Sequence, residues 1–147
     1  MEETLRHDYA PFIIERGKIK EFALALGVKN CIHYDKEKAI KLGYRDVVAP
    51  PTFGTVIDFW NDNHYYQFLK KLSLTPEDVL HGEQSYEYIE EICAGDEITG
   101  TVRNRNTKDK GDKIFFYLET NYFNQHSKLV LIGRATLVTF NKKEVQE

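Results

Sequence analysis

The apolar positions of this chain change period near its middle. Before residue 80 they recur at helical intervals, and after it they mostly alternate. In the first half Ile19, Phe22, Ala23 and Leu26 fall at i, i+3, i+4 and i+7 with charges between them, which predicts an amphipathic helix. Gly27 follows as its natural stop, because glycine takes the left-handed conformation that closes a helix. A short apolar run at 11–14 reads as a first strand, and 28–34 as a polar loop. Asp35 offers an N-cap to a short helix over 37–42, ended by Gly43. Pro50 and Pro51 hold an extended arm, since the residue before a proline avoids the helical region. From Thr52 the chain is apolar on nearly all sides through Val56, Ile57, Phe59 and Trp60, the pattern of a buried helix. A second aromatic stretch, 64–69, runs on to Lys70 and Lys71, and 75–78 reads as a turn or a single capped helical turn.

The second half predicts strands at 85–89, 97–103, 113–123 and 129–140. Residues 94–96, 106–112 and 124–127 form the connections. Four consecutive strands joined by short turns predict an antiparallel meander, and a buried helix beside it predicts an α+β fold.

Length and composition narrow this only a little. The 147 residues suit one domain, 1–147, of a size that buries about two-thirds of its unfolded surface without a disulfide or a metal. Aromatics are in surplus, with 9 Phe, 9 Tyr and 1 Trp, which suits half-buried strands and apolar pockets. A net charge of −3 argues against nucleic acid as the main partner. No apolar run approaches the roughly 20 residues of a membrane span, and the first residues lack the pattern of a secretory leader. Cys31 and Cys93 form no CxxC pair, so two reduced thiols and a cytoplasmic location are expected.

Phosphate loops, nucleophile elbows and HExxH motifs are missing, which leaves a loop and the proline arm as candidate chemistry. His33 sits in the loop between two helices. It is either an acid–base group or a loop histidine that bonds a backbone carbonyl. Cys31 and His33 have no second ligand pair nearby, so no metal is expected. Thr52, Phe53 and Gly54 begin the buried helix, where free N–H groups can stabilise a developing oxyanion; a plain helix start explains them equally. His81 and Gln84 flank Gly82 at a strand entry. Arg103, Arg105, Lys108, Lys110 and Lys113, interleaved with Asp109 and Asp112, read as a solvated hairpin tip or as a phosphate-docking surface.

Taken in order, residues 16–23, Leu26-Gly27, 30–35, 39–44, 48–53, 80–84 and Ala94-Gly95-Asp96 resemble the MaoC-like dehydratases, in particular their N-terminal-domain branch. The resemblance runs through most of the chain. It implies a single hot-dog fold, an antiparallel sheet wrapped around a long central helix. It also implies two hot dogs side by side as a homodimer or heterodimer, acting without a cofactor on 3-hydroxyacyl or enoyl thioesters of coenzyme A or acyl carrier protein. The hydratase motif of this superfamily reads roughly G-D-x-N-P-x-H. Here Asn30 and His33 match it, Val28 stands at the Asp position and Cys31 at the Pro position. Valine cannot activate a water, so the catalytic pair is incomplete. The resemblance therefore implies one subunit of an (R)-3-hydroxyacyl-thioester dehydratase, a hydro-lyase, that contributes the acyl-binding half to a MaoC-type catalytic partner. In that reading Thr52, Phe53 and Gly54 face the thioester, and Phe53, Phe59, Trp60 and Tyr65 line the acyl site. Two alternatives stand beside it: a self-sufficient homodimeric hydratase using His33, and a catalytically silent acyl-thioester-binding or scaffolding protein.

Overall fold

The computed structural model describes residues 5–141, so residues 1–4 of the stretch read for a leader lie outside it. Five strands form one antiparallel sheet: β1 (Arg6–Ile13), β2 (Val79–Tyr88), β3 (Glu97–Asp109), β4 (Lys113–Phe123) and β5 (Leu129–Phe140). Among the described residues four α-helices precede β2: α1 (Arg16–Leu26), α2 (Lys36–Lys41), α3 (Gly54–Trp60) and α4 (His64–Lys71).

The order across the sheet is β1-β3-β4-β5-β2. Only β3, β4 and β5 form the expected meander. Strand β2 pairs with β5 at the far edge instead of with β3, its successor in the chain. The connector 89–96 makes this crossing, pinned by the proline arm: Ala94 N–H donates to the Val47 carbonyl at 3.0 Å and Ala49 N–H to the Ile92 carbonyl at 2.8 Å. The hydrophilic turn expected over 106–112 is shorter, because β3 runs to Asp109. Past a bulge between Asn104 and Asn106, β3 stays paired with β4 through Asp109 and Ile114.

Alternation along β4 is regular: Leu118, Thr120 and Tyr122 are buried, and the residues between them are half-buried on the other face. The inner face packs against α1, α3 and α4. Helix α1 buries Ile19 and Ala23 completely. It closes as its sequence predicts, with Gly27 at φ 70°, Gly27 N–H on the Leu24 carbonyl and Val28 N–H on the Ala23 carbonyl. Asp35 caps α2 by accepting from Lys38 N–H at 3.1 Å.

The buried helix differs in length. It comes in two short pieces, α3 and α4, separated by Asp62 and Asn63 at positive φ. Asn61 is turned out of the helix to donate to the Ala10 carbonyl at 2.7 Å. Phe53 and Ile57 are fully buried, whereas Trp60 is 78% exposed, so α3 is a half-buried helix with an open end.

Candidate functional site

His33 ends a single 3-10 turn over Cys31–His33, which Asn30 caps by accepting from Ile32 N–H at 3.2 Å. The side chain of Asn30 is therefore occupied with the local backbone. The turn is fixed to the proline arm twice: Val48 N–H donates to the Ile32 carbonyl at 2.9 Å, and His33 Nδ1 lies 2.6 Å from the Val48 carbonyl. A carbonyl oxygen only accepts, so Nδ1 carries the hydrogen and Nε2 is left as the lone-pair nitrogen. His33 is buried, and among the described residues Nε2 makes no hydrogen bond.

Among the described residues no carboxylate bonds to it. Val28 closes α1 with its N–H and accepts the Tyr34 hydroxyl on its carbonyl, and its side chain is an aliphatic stub. Asp35 is turned to the start of α2. Asp46 takes both ends of Arg16, at 2.9 and 2.8 Å, and the N–H of Val47 at 2.7 Å. Arg16 is the main reason its carboxyl is held down at about 2. Asp96 is buried, which alone would raise its pKa. Bonds from Arg45 at 2.7 and 2.9 Å, from Cys93 N–H and from Gln125 outweigh this and hold it below the usual range. Asp46 and Asp96 thus clamp the two ends of the Arg45-Asp46 segment that aims the arm.

At the arm's end the three residues expected to face an oxyanion differ. Thr52 is exposed, while the N–H of fully buried Phe53 is already given to the Pro50 carbonyl at 2.9 Å. Gly54 is buried beneath the Tyr86 ring, which occupies the space a Cβ would need. The aromatic residues separate into two groups. Phe53 meets Phe22 edge-on at 5.6 Å, and beyond them Phe22, Val56 and Trp60 line a groove of about 460 Å³ between α1 and α3, edged by Lys18 and Glu21. Phe59 points the other way, to Tyr65 at 4.8 Å and Tyr66 at 6.0 Å.

Sequence reading missed Asp58. It lies on α3, buried, and accepts from the Tyr122 hydroxyl at 2.6 Å. Burial pushes its carboxyl up to about 7 against the hydrogen bond that Tyr122 donates to it. Among the described residues the Tyr9 and Tyr65 hydroxyls are buried without a hydrogen-bond partner. A polar residue among apolar neighbours at 56, 57, 59 and 60 was the available signal. Among the described residues no His, Cys, Asp and Glu side chains gather into a metal-binding group of three or more. No helix there is long and apolar enough to cross a membrane.

The five-stranded antiparallel sheet with its packed helices is that of a hot-dog protein. A family model described as the FAS1-like dehydratase domain region matches residues 4–132. A UPF0336 protein of Clavibacter michiganensis is 31% identical over 135 residues, 88% of this chain and 86% of its own. The HadBC (3R-hydroxyacyl-ACP dehydratase) complex of Mycobacterium tuberculosis contains a chain that superposes with a TM-score of 0.83 at 21% identity, over 92% of this chain and 96% of that one. A chain of the ChsH1-ChsH2 complex of the same organism superposes at 0.73 and 14% identity, over 91% and 89%. The chain belongs to the MaoC-like hot-dog dehydratase family, within its FAS1-like dehydratase region.

Proposed function

We propose that this chain is the acyl-binding subunit of a two-chain (R)-3-hydroxyacyl-thioester dehydratase, acting on thioesters of coenzyme A or acyl carrier protein. The observation that carries the reading is a buried histidine whose free nitrogen faces no carboxylate. Water addition to an enoyl thioester needs one group to take a proton from the water and another to deliver one to the carbon α to the carbonyl. With Val28 where the second group belongs, His33 serves as a strut between its turn and the arm. A MaoC-type partner with the complete Asp/His pair supplies both proton transfers.

The acyl chain lies in the groove of Phe22, Val56 and Trp60, entered past Phe53. Thr52 and Gly54 offer the arm's remaining N–H groups to the thioester carbonyl, while Phe59 and Tyr65 back the groove from the far side of α3. The HadBC and ChsH1-ChsH2 structures are each complexes, which supports a partnered state. Cytoplasmic residence fits the two free thiols. Co-expression with such a partner is expected to give enoyl-thioester hydration that neither chain gives alone. Full activity from the isolated chain would overturn the reading.

A further inference from the structure

The junction between α3 and α4 is fastened to one residue of β1. A register shift between Tyr9 and Phe12 leaves Ala10 and Pro11 out of the pairing with β3. Both backbone groups of Ala10 turn to the junction instead. Asn61 donates to its carbonyl at 2.7 Å, and its N–H donates to His64 Nε2 at 3.1 Å.

The second bond fixes the protons of two rings. A backbone N–H only donates, so Nε2 of His64 carries the lone pair and the ring hydrogen sits on Nδ1. That Nδ1–H donates to His7 Nε2 at 2.9 Å, so the hydrogen of His7 is also on Nδ1. Ala10, His64 and His7 thus form a chain of two bonds in which both imidazoles are neutral. A proton added to His64 sets its Nε2–H against the Ala10 N–H. A proton added to His7 sets its Nε2–H against the His64 Nδ1–H. Either one breaks a bond, and histidine is the side chain that takes up a proton just below neutrality.

The surroundings favour the neutral form. Both rings are half-buried, and His64 stacks on buried Tyr9 with ring centres 5.8 Å apart. Burial is the largest cause that lowers the pKa of His7, followed by Lys71 of α4 and by His64. Asp8 on β1 pulls the other way, but its carboxylate already accepts from Arg6 at 2.9 Å and Thr101 at 2.7 Å. Strand β3 sets Val102 opposite His7 and Arg103 opposite Arg6. On α3 the carboxyl of Asp58 bonds Tyr122 and acts on Tyr9, and Asp62 of the junction is exposed.

We propose that His7 and His64 form an acid-released latch that seats the start of α4 on β1, closed while both rings are neutral and opened by a proton on either. The opening is local. The bond from Asn61 to Ala10 does not titrate and stays as a tether, and buried Phe68 and Leu69 hold the rest of α4 in the core. Between tether and latch, Asp62 and Asn63 stand in the left-handed region at φ 47° and 59°, which is costly for residues with a side chain and relaxes on release. The freed first turn carries Tyr65 and Tyr66, the rings that meet Phe59. The latch is independent of the dehydratase reading.

The pKa of His7 lies below its ordinary 6.5, so the unfolded chain takes the proton more readily than the folded one. The contribution of the latch is complete above about 6.5 and is lost as pH falls through the lower value in the fold. Asp58 titrates over the same range in global unfolding, so the latch is best read locally. Nitrogen chemical shifts of the imidazoles at about pH 7.5 should show both rings neutral, with hydrogen on Nδ1. Protection of the Ala10 amide from hydrogen exchange, corrected for the intrinsic rate, should fall at least about tenfold between about pH 7.5 and 5, while amides of β4 lose none. His64→Gln keeps an acceptor for Ala10 that does not titrate, so its Ala10 protection should persist in acid. His64→Phe fills the ring's place without an acceptor and should leave Ala10 open at every pH. Circular dichroism verifies that both variants are folded, and the imidazole shifts need no variant. An Nε2–H tautomer at His64, wild-type protection of Ala10 that is flat with pH, or an acid loss in His64→Gln equal to that of wild type would overturn the proposal.

Discussion

In sequence Asp58 is a lone polar position among apolar neighbours on a helix, a signal that does not say whether it faces solvent or core. The structure turns it inward, where Tyr122 donates to it and Tyr9, Tyr65 and Tyr86 surround it from β1, α4 and β2. Its pKa is about 7 in the fold against 3.8 for an exposed carboxyl. The folded state therefore holds the proton more tightly than the unfolded one. Stability falls as pH rises from about 4 through 7 and levels off above, by a few kcal/mol at most. Asp46 works in the opposite direction: its contribution is present above about 4 and is lost as pH falls toward 2. Urea unfolding across this range should show greatest stability near pH 4–5. Asp58→Asn keeps an acceptor for Tyr122 and removes the titrating carboxyl, so its curve should lose the fall that Asp58 gives the wild type between about pH 4 and 7. A variant curve parallel to wild type would contradict this. His33 is also legible only in part. Its position in a loop is plain from the flanking helical patterns, but its bond to Val48 joins residues fifteen apart and depends on the arm's path. His33→Ala should cost about 1–3 kcal/mol of stability. Hydration by the reconstituted pair should stay within about threefold, far from the roughly hundredfold loss of a general acid–base group.

Elements were read best where local chemistry decides them. The ends of α1 and α2 follow from Gly27 and Asp35, and β4 and β5 from alternation and a turn. The place of β2 was not readable, because strand order is set by the crossing of 89–96 and its bonds to the arm, which are long-range. The split of the central helix was missed for a similar reason: Asn61 leaves the helix to bond a distant strand. One close contact fixes α3 on the sheet. Tyr86 fills the space above Gly54 and shares a hydrogen bond with Thr55 at 2.9 Å. Gly54→Ala should destabilise by about 1–3 kcal/mol in chemical unfolding, despite the better helix propensity of alanine. Adding Tyr86→Leu should recover part of that loss by removing the crowded ring. Additive losses in the double variant would show that the contact does not seat the helix.

At the scale of the molecule, the family resemblance was visible in the chain because it is carried by a series of short local motifs in order, and Val28 at the motif's Asp position because it lies five residues from His33. What sequence could not show is that the nearby carboxylates, Asp35, Asp46 and Asp96, are all engaged elsewhere. In the proposed reading, that leaves His33 without an acid partner and gives a second chain the chemistry. The most direct measurement is a titration of a MaoC-type subunit, with its Asp/His pair intact, by this chain, following hydration of an enoyl thioester. The account predicts a negligible rate for this chain alone and a rate that climbs to a plateau at one chain per partner. A substantial rate before any partner is added, or a partner rate unchanged by this chain, would contradict it.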